Sequence, residues 1–227
     1  MTELLDKIRF RGHWRVVIRP TTFDEARISS ISSLRPIIEK TSVQLCGWDF
    51  PHIDSRTGIE IHENWIEQAF EWQEYLEFWR LYKSGQFVDI FAIPYDWYDQ
   101  SDHGPEDWQF GSRLLIGDSL YTLTEIFEFA SRLALTEAGD DPVHIEFTLD
   151  RLAGRELFTG EPRRWALFPG RYKTETKKFS RKLEMSRSEL LASARDLAIT
   201  EAIELFSHFG WDTTRDHLRG WQDQLKM

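Results

Sequence analysis

The chain has few of the features on which sequence-based assignments of function depend. It contains one cysteine, Cys46, in 227 residues, so it cannot form an intramolecular disulfide. Its first residues, MTELLDKIRF, lack the apolar core of a secretory signal. No apolar run approaches the roughly 20 residues that cross a bilayer. These absences predict a cytoplasmic protein with no membrane segment.

Common catalytic and cofactor-binding signatures are also missing. There is no Gly-x-x-x-x-Gly-Lys-Ser/Thr loop, no Gly-x-Gly-x-x-Gly turn, no Gly-x-Ser-x-Gly elbow and no Cys-x-x-Cys pair. P-loop ATP hydrolysis, dinucleotide redox chemistry, serine hydrolysis and zinc-finger binding therefore have no support. Cys46 follows the apolar Leu45, which favours a small buried hydrophobe over a nucleophile. We predict no cofactor and no metal.

Charge is unevenly distributed along the chain. The formal net charge of -10 argues against nonspecific binding of nucleic acid, because such binding depends on clustered Lys and Arg. The segment 161–187 nevertheless carries nine basic and three acidic residues, whereas 89–107 carries six acidic residues and no Lys or Arg. These oppositely charged segments favour contact with a partner, either another protein or a second copy of the chain.

Aromatic residues are abundant, with ten Trp, 16 Phe and six Tyr. Such side chains serve cores, interfaces and base-stacking platforms alike, so their number does not choose among these roles. The hydrophobic content of 41% is enough for a core that needs no disulfides.

Hydrophobic periodicity predicts an α+β (mixed α/β) fold, in which helices flank a sheet and a long amphipathic helix lies near the C-terminus. Ser186 and Glu189 match a capping box at the start of that helix. The segment 64–83 fits either a long helix or aromatic strands. The predicted organisation is an N-terminal mixed part, an acidic loop and a C-terminal part, which form one domain or two packed subdomains with the bounds 1–94, 95–112 and 113–227.

The stretch GWDFPHID, residues 47–54, is the first candidate site. Asp49, His52 and Asp54 are residue types that bind divalent metals, and His62 and Glu63 follow, but the spacing matches no metal motif. The favoured hypothesis is that this stretch is a structural corner, in which Trp48 and Phe50 anchor a strand end and Asp54 forms a hydrogen bond with a loop amide. A ligand pocket is the alternative, with Trp48, Asp49, His52 and Asp54 as ligand-binding residues.

A second candidate site resembles the divided site of restriction-type nucleases. Those cores combine an acid on a helix, an Asp on one strand and a Glu-x-Lys on a later strand, where both side chains share a face. Glu128, Asp150, Glu175 and Lys177 follow that order. The alternative function is therefore a metal-dependent nuclease, although Glu-x-Lys triplets are frequent by chance.

The basic segment 172–185, predicted as a strand, is the third candidate. Its cationic side chains could bind a nucleotide or a nucleic-acid backbone, or they could simply face water. The residues concerned are Lys173, Lys177, Lys178, Arg181 and Lys182.

The phrases RGHWRVVIRP, GWDFPHID and YKSGQF resemble segments of poorly characterised bacterial domains. Some of those domains are attached to AlbA/Schlafen-type ATP-binding modules and are found near antiphage defence genes. The likeness covers about the first ninety residues and carries no catalytic residues with it. It implies a sensor or adaptor that works with a separate effector or ATPase, since this chain lacks the ATP-binding module.

Together these observations predict a non-enzymatic sensor or adaptor. It would bind a partner protein, a nucleotide or a nucleic acid, and it could assemble as a homo-oligomer.

Overall fold

A computed structural model describes residues 2–45, 48–97, 109–160, 167 and 170–224. Most of the predicted acidic loop lies outside these residues. Within the described part of the chain, no helix is both long enough and apolar enough to cross a membrane.

Five helices are described, and the predicted long helix near the C-terminus is among them. They are α1 (Thr2–Phe10), α2 (Leu34–Thr41), α3 (Ile116–Leu133), α4 (Arg187–Ser207) and α5 (Arg215–Gln222). Ser186 caps α4, since its hydroxyl accepts the N–H of Glu189 at 3.2 Å, as the capping-box pattern predicts. Thr214 caps α5 through the N–H of His217 in the same way.

Eleven strands are described, and seven of them form one antiparallel sheet, which confirms the α+β prediction. The strands are β1 (His13–Pro20), β2 (Val43–Gln44), β3 (Asp49–Phe50), β4 (Glu60–Ile61), β5 (Trp65–Trp72), β6 (Tyr75–Tyr82), β7 (Phe87–Ala92), β8 (Arg113–Leu115), β9 (Val143–Asp150), β10 (Glu156–Phe158) and β11 (Lys178–Met185). The large sheet has the order β11-β9-β1-β7-β6-β5-β4, so strands from both halves of the sequence lie side by side.

The segment 64–83, for which the sequence allowed either a helix or strands, forms the hairpin of β5 and β6. Gln73 adopts a positive φ of 53° in the turn between them. β6 is buried on both faces, because α1 covers one side and the main core covers the other, whereas Glu71 and Trp72 at the end of β5 are exposed. A strand buried on both faces loses the alternation of polar and apolar residues, which explains why periodicity did not identify it.

The basic strand begins later than predicted. Residues 174–177 have no regular structure, and pairing with β9 starts at Lys178, opposite Asp150. Glu175 and Lys177 are therefore not on a strand, and the alternation that would align their side chains does not apply to them.

The core lies between the sheet and the layer of α2, α3 and α4. Phe147 of β9 is fully buried at its centre, in ring contact with Trp14, Phe127 and Phe179. α3 packs along α4, and α5 closes the end of this pair.

A buried ion pair joins segments that are distant in sequence. Arg155 and Asp96 are each 1% exposed, and both oxygens of the Asp96 carboxylate accept from the Arg155 guanidinium. The same carboxylate accepts the backbone N–H of Gly12 at 2.9 Å and of Gly111 at 3.1 Å. A side chain at Gly12 would overlap the pair, since an added Cβ would lie 2.1 Å from the guanidinium.

We expect Arg155→Met to lower the free energy of unfolding by about 3–5 kcal/mol, because it leaves the Asp96 carboxylate buried without its cation. Urea unfolding followed by tryptophan fluorescence measures this loss. The double variant Arg155→Met/Asp96→Asn removes the uncompensated charge and should be more stable than the single variant. A loss below about 1 kcal/mol for Arg155→Met would show that the pair is not buried as described.

Candidate functional site

A cavity of about 240 Å³ opens between the core face of β6 and β7, the strand β3 and the first half of α3. It is small beside the roughly 300–1,000 Å³ of pockets for drug-sized ligands. Its walls combine carboxyl groups with aromatic rings. The lining residues are Trp48, Asp49, Phe50, Tyr75, Leu76, Glu77, Phe91, Ala92, Pro94, Tyr95, Asp118, Tyr121, Thr122 and Glu125.

Helix α3 contributes one polar face to the cavity. Asp118, Tyr121, Thr122 and Glu125 recur at intervals of three and four residues, and this spacing places side chains on one side of a helix. The opposite wall comes from β6 and β7, whose inward residues alternate with residues that face α1. A helix face and a sheet face therefore present acids to one enclosed space.

Glu77 is the most constrained acid of the cavity. Its side chain is 5% exposed, and its Oε1 accepts the backbone N–H of His52 at 2.8 Å. Burial raises the pKa of Glu77 to about 7, although hydrogen bonds from the His52 N–H and the Trp48 side chain act in the opposite direction. Near neutral pH this carboxyl exists in both protonation states.

Asp89 lies behind Glu77 on the same face of the sheet. Its register partner on β6 is Trp79, two residues from Glu77 and on the same face. Asp89 is fully buried, and neither carboxyl oxygen has a hydrogen-bond partner. Burial, and then the nearby charge of Glu77, raise the pKa of Asp89 well above its ordinary value. The two groups form a buried acid pair, and two such charges in one apolar site oppose each other's ionisation.

The helix side adds further acids. Burial raises the pKa of Asp118 to about 6, and Glu125 is 9% exposed. Asp49 lies at the rim, on β3. Among the described residues that line the cavity, none is Lys, Arg or His. The cavity therefore has a negative potential that strengthens as its acids ionise.

Trp48 forms the aromatic wall beside these acids. Its ring stacks on Tyr75 with centroids 4.1 Å apart and on His52 at 3.9 Å. The ring centroids of Phe70 and Trp72 lie 5.2 and 6.4 Å from that of the same indole. The stack fixes the indole and covers both of its faces, since two rings this close to one centroid must lie on opposite sides of it.

Different residues of the octapeptide 47–54 fit the ligand-pocket hypothesis and the structural-corner hypothesis. Trp48, Asp49 and Phe50 line the cavity, as the pocket hypothesis requires, and Phe50 is also 5% exposed, as a structural corner requires. His52 and Asp54 do not line it. Burial lowers the pKa of the His52 imidazole, against the opposing charges of Asp49 and Asp54, which favours its neutral form.

Asp54 shapes the turn that follows the octapeptide. Burial acts to raise its pKa, but N–H donors from Thr57 and Arg56 prevail and lower the pKa of Asp54 to about 2. Its Oδ2 accepts the Thr57 N–H at 3.0 Å, and its own N–H donates to Gln68. This is the loop-amide bond that the corner hypothesis assigns to Asp54.

The structure does not bring the four nuclease candidates together. Glu128 of α3 pairs with Arg195 of α4 at 3.4 Å, on the helical side of the sheet. Asp150 faces the other side, since its strand neighbour Leu149 is in the core. Glu175 and Lys177 lie in the irregular segment before β11. A shared metal site would need these groups within one coordination shell.

Three basic candidates, Lys178, Arg181 and Lys182, lie on β11 at the far edge of the sheet, with β9 and β1 between them and the cavity strands. Four of the five basic candidates have acidic partners: Lys173 with Glu156, Lys178 with Asp150, Arg181 with Glu201, and Lys182 with Glu146. Lys177 is exposed in the loop. Partnered cations attract phosphate less strongly, so this edge offers weak support for binding nucleic acid.

Sequence reasoning missed three acids that line the cavity, Glu77, Asp118 and Glu125, and the buried Asp89 behind Glu77. A usable signal was present for two of them, since each interrupts an aromatic or aliphatic run, as in YLEFW and FVDIF. A charged residue inside such a run becomes informative only once the run is known to be a strand buried on both faces.

No protein-family model matches the chain, and no curated protein or solved structure shows significant similarity to it. The resemblance to domains near antiphage defence genes therefore stays a prediction, and the geometry of the cavity carries the functional argument.

Glu77→Gln should change how stability depends on pH. The pKa of Glu77 is higher in the folded protein than its ordinary value of 4.5, so the folded state holds the extra proton between about pH 4.5 and 7. The free energy of unfolding then falls as pH rises through this interval, by at most about 3 kcal/mol from this group. The glutamine variant cannot ionise, so its stability relative to wild type should increase from pH 5 to pH 8.

Chemical denaturation at several pH values measures the difference, in which the contributions of titrating groups that do not interact with Glu77 cancel. Glu25→Gln removes the same charge from an exposed loop position and serves as the control. Parallel stability profiles for wild type and Glu77→Gln would refute the raised pKa.

Phe50→Ala and His52→Ala should separate the packing role from the stacking role. Phe50 contacts Phe87, Phe91 and Phe129 edge-on, so its truncation should cost about 3–5 kcal/mol. His52 bonds to Glu77 and Trp79 through its backbone, so the alanine variant keeps those bonds and should lose only about 1 kcal/mol of ring contact. Thermal melts compare the two, and an equal loss for both would contradict the assignment.

Proposed function

We propose that this protein is a ligand-binding sensor or adaptor whose cavity holds a small organic cation. The proposal rests on one observation: several acids line a cavity that also has aromatic walls. Burial raises the pKa of two of them, Glu77 to about 7 and Asp118 to about 6. A cation bound there would stabilise the ionised carboxylates and offset the cost of their burial.

The residues that line the cavity restrict the class of ligand that can bind there. Carboxylates repel phosphate and carboxylate groups, so the nucleotide or nucleic acid expected from the basic segment is disfavoured at this cavity. Aromatic rings attract ammonium and guanidinium groups, and the lining includes Phe91, Tyr95 and Tyr121. The volume of about 240 Å³ favours a small amine, guanidine or quaternary ammonium compound.

A binding role suits the site better than catalysis. None of the described lining residues is Cys, His or Lys, so the cavity offers no thiol, imidazole or amine nucleophile. A separate effector or ATPase remains the predicted partner, and the chain would report occupancy of the cavity to it.

Isothermal titration with choline, agmatine and putrescine tests the proposal. At least one should bind wild-type protein, and Glu77→Gln and Asp118→Asn should each weaken that binding by at least about tenfold, because each removes a partner of a buried charge. Glu25→Gln should bind as wild type does, since its side chain is exposed and distant in the fold.

Two outcomes would refute the proposal. One is the absence of binding by all three cations to folded wild-type protein. The other is binding that Glu77→Gln and Asp118→Asn leave unchanged, because the acids would then contribute nothing to recognition.

A further inference from the structure

We propose a second site, a divalent metal site of the zinc class formed by Glu60, His62 and Glu67. Glu60 and Glu67 are register partners on β4 and β5, and His62 directly follows β4. Glu67 shares its face with its register partner Arg80, which alternates with the cavity-facing residues of β6. The site therefore lies on the opposite side of the sheet from the cavity and does not depend on the cation-binding proposal.

The spacing of the donor atoms fits a metal ion. His62 Nε2 lies 3.3 Å from Glu67 Oε1 and 3.8 Å from Glu60 Oε2, and one donor atom from each residue lies within 4.8 Å of the others. Donor atoms bound at about 2.0–2.2 Å to a tetrahedral ion are about 3.3–3.6 Å apart. Three protein ligands leave one position for water.

The imidazole supplies an independent observation. His62 Nε2 is buried and makes no hydrogen bond, although two carboxylates are near it. The ring is held in place by stacking on Trp65, with centroids 4.8 Å apart. An oriented ring nitrogen that faces two carboxylate oxygens without bonding to either is the arrangement that a bridging ion would complete.

Neighbouring groups orient the buried ligand. Glu67 Oε2 accepts from Arg80 and from the indole N–H of Trp65 at 3.0 Å, which leaves Oε1 directed at His62. Such outer contacts fix ligand geometry in metal sites. Like charges directly opposite on neighbouring strands destabilise a sheet. Arg80 offsets part of the repulsion between Glu60 and Glu67, and a divalent ion would offset the rest.

The ligand set also selects the metal. One imidazole and two carboxylates suit zinc and similar transition ions, whereas calcium and magnesium prefer oxygen ligands alone. Binding would tie the two-residue edge strand β4 to β5 and cover the open edge of the sheet.

Titration of chelator-treated protein with zinc chloride tests the site. Wild type should take up one equivalent that His62→Gln and Glu60→Gln do not, or that they bind at least about tenfold more weakly. Glu60 is exposed, so Glu60→Gln should fold normally even if the histidine variant does not. Glu63→Gln, which changes the exposed acid next to His62, is the matched control and should bind as wild type does.

Hydrogen exchange supplies a second readout, because bound zinc should slow exchange in residues 60–67 of wild type and not of Glu60→Gln. The site is refuted if wild type takes up no zinc, if both variants retain the full equivalent, or if magnesium and calcium bind equally tightly. In the first case the three side chains are in contact without serving as metal ligands.

Discussion

The buried pair of Asp96 and Arg155 holds the part of the fold on which the cavity depends. Its carboxylate binds the loop before β1 through Gly12, and its guanidinium binds the carbonyl of Arg113 in β8 at 2.8 Å. Asp96 follows Pro94 and Tyr95, which form one wall of the cavity, and β8 leads directly into α3, which forms another. Because a buried pair retains its geometry only when both partners are present, the two walls are fixed relative to each other.

The large sheet also contains two buried acids that lower its stability, and the Asp96–Arg155 pair does not offset this loss. Glu77 and Asp89 are enclosed by core residues without a cationic partner among the described side chains, and burial of carboxyls in this way lowers stability. Strained or costly arrangements concentrate at functional sites. The acids are therefore understood best as groups kept for a ligand, and the aromatic stack on Trp48 gives that ligand an apolar surface.

Sequence patterns predicted the framework better than the site. The capped helix after Ser186 follows from a local rule that acts within a few residues, and it is present. The β5–β6 hairpin could not be assigned because two-sided burial of β6 erases alternation. The cavity unites Asp49, Glu77 and Asp118 from three distant segments, and only long-range packing brings such residues together. The four nuclease candidates lie apart for the same reason, since order along the chain does not determine which face of the sheet a residue occupies.

The most direct test of the account compares choline with its uncharged carbon isostere, in which a tert-butyl group replaces the trimethylammonium group. Both have the same shape, and the cost of desolvating the ammonium group does not depend on pH, so the change with pH of the difference in their affinities, measured by calorimetry from pH 5 to pH 8, reports the charge of the cavity. The account predicts that choline binds more tightly than the isostere and that its advantage grows as Glu77 ionises near pH 7. Equal affinities, or a difference that does not change with pH, would contradict it.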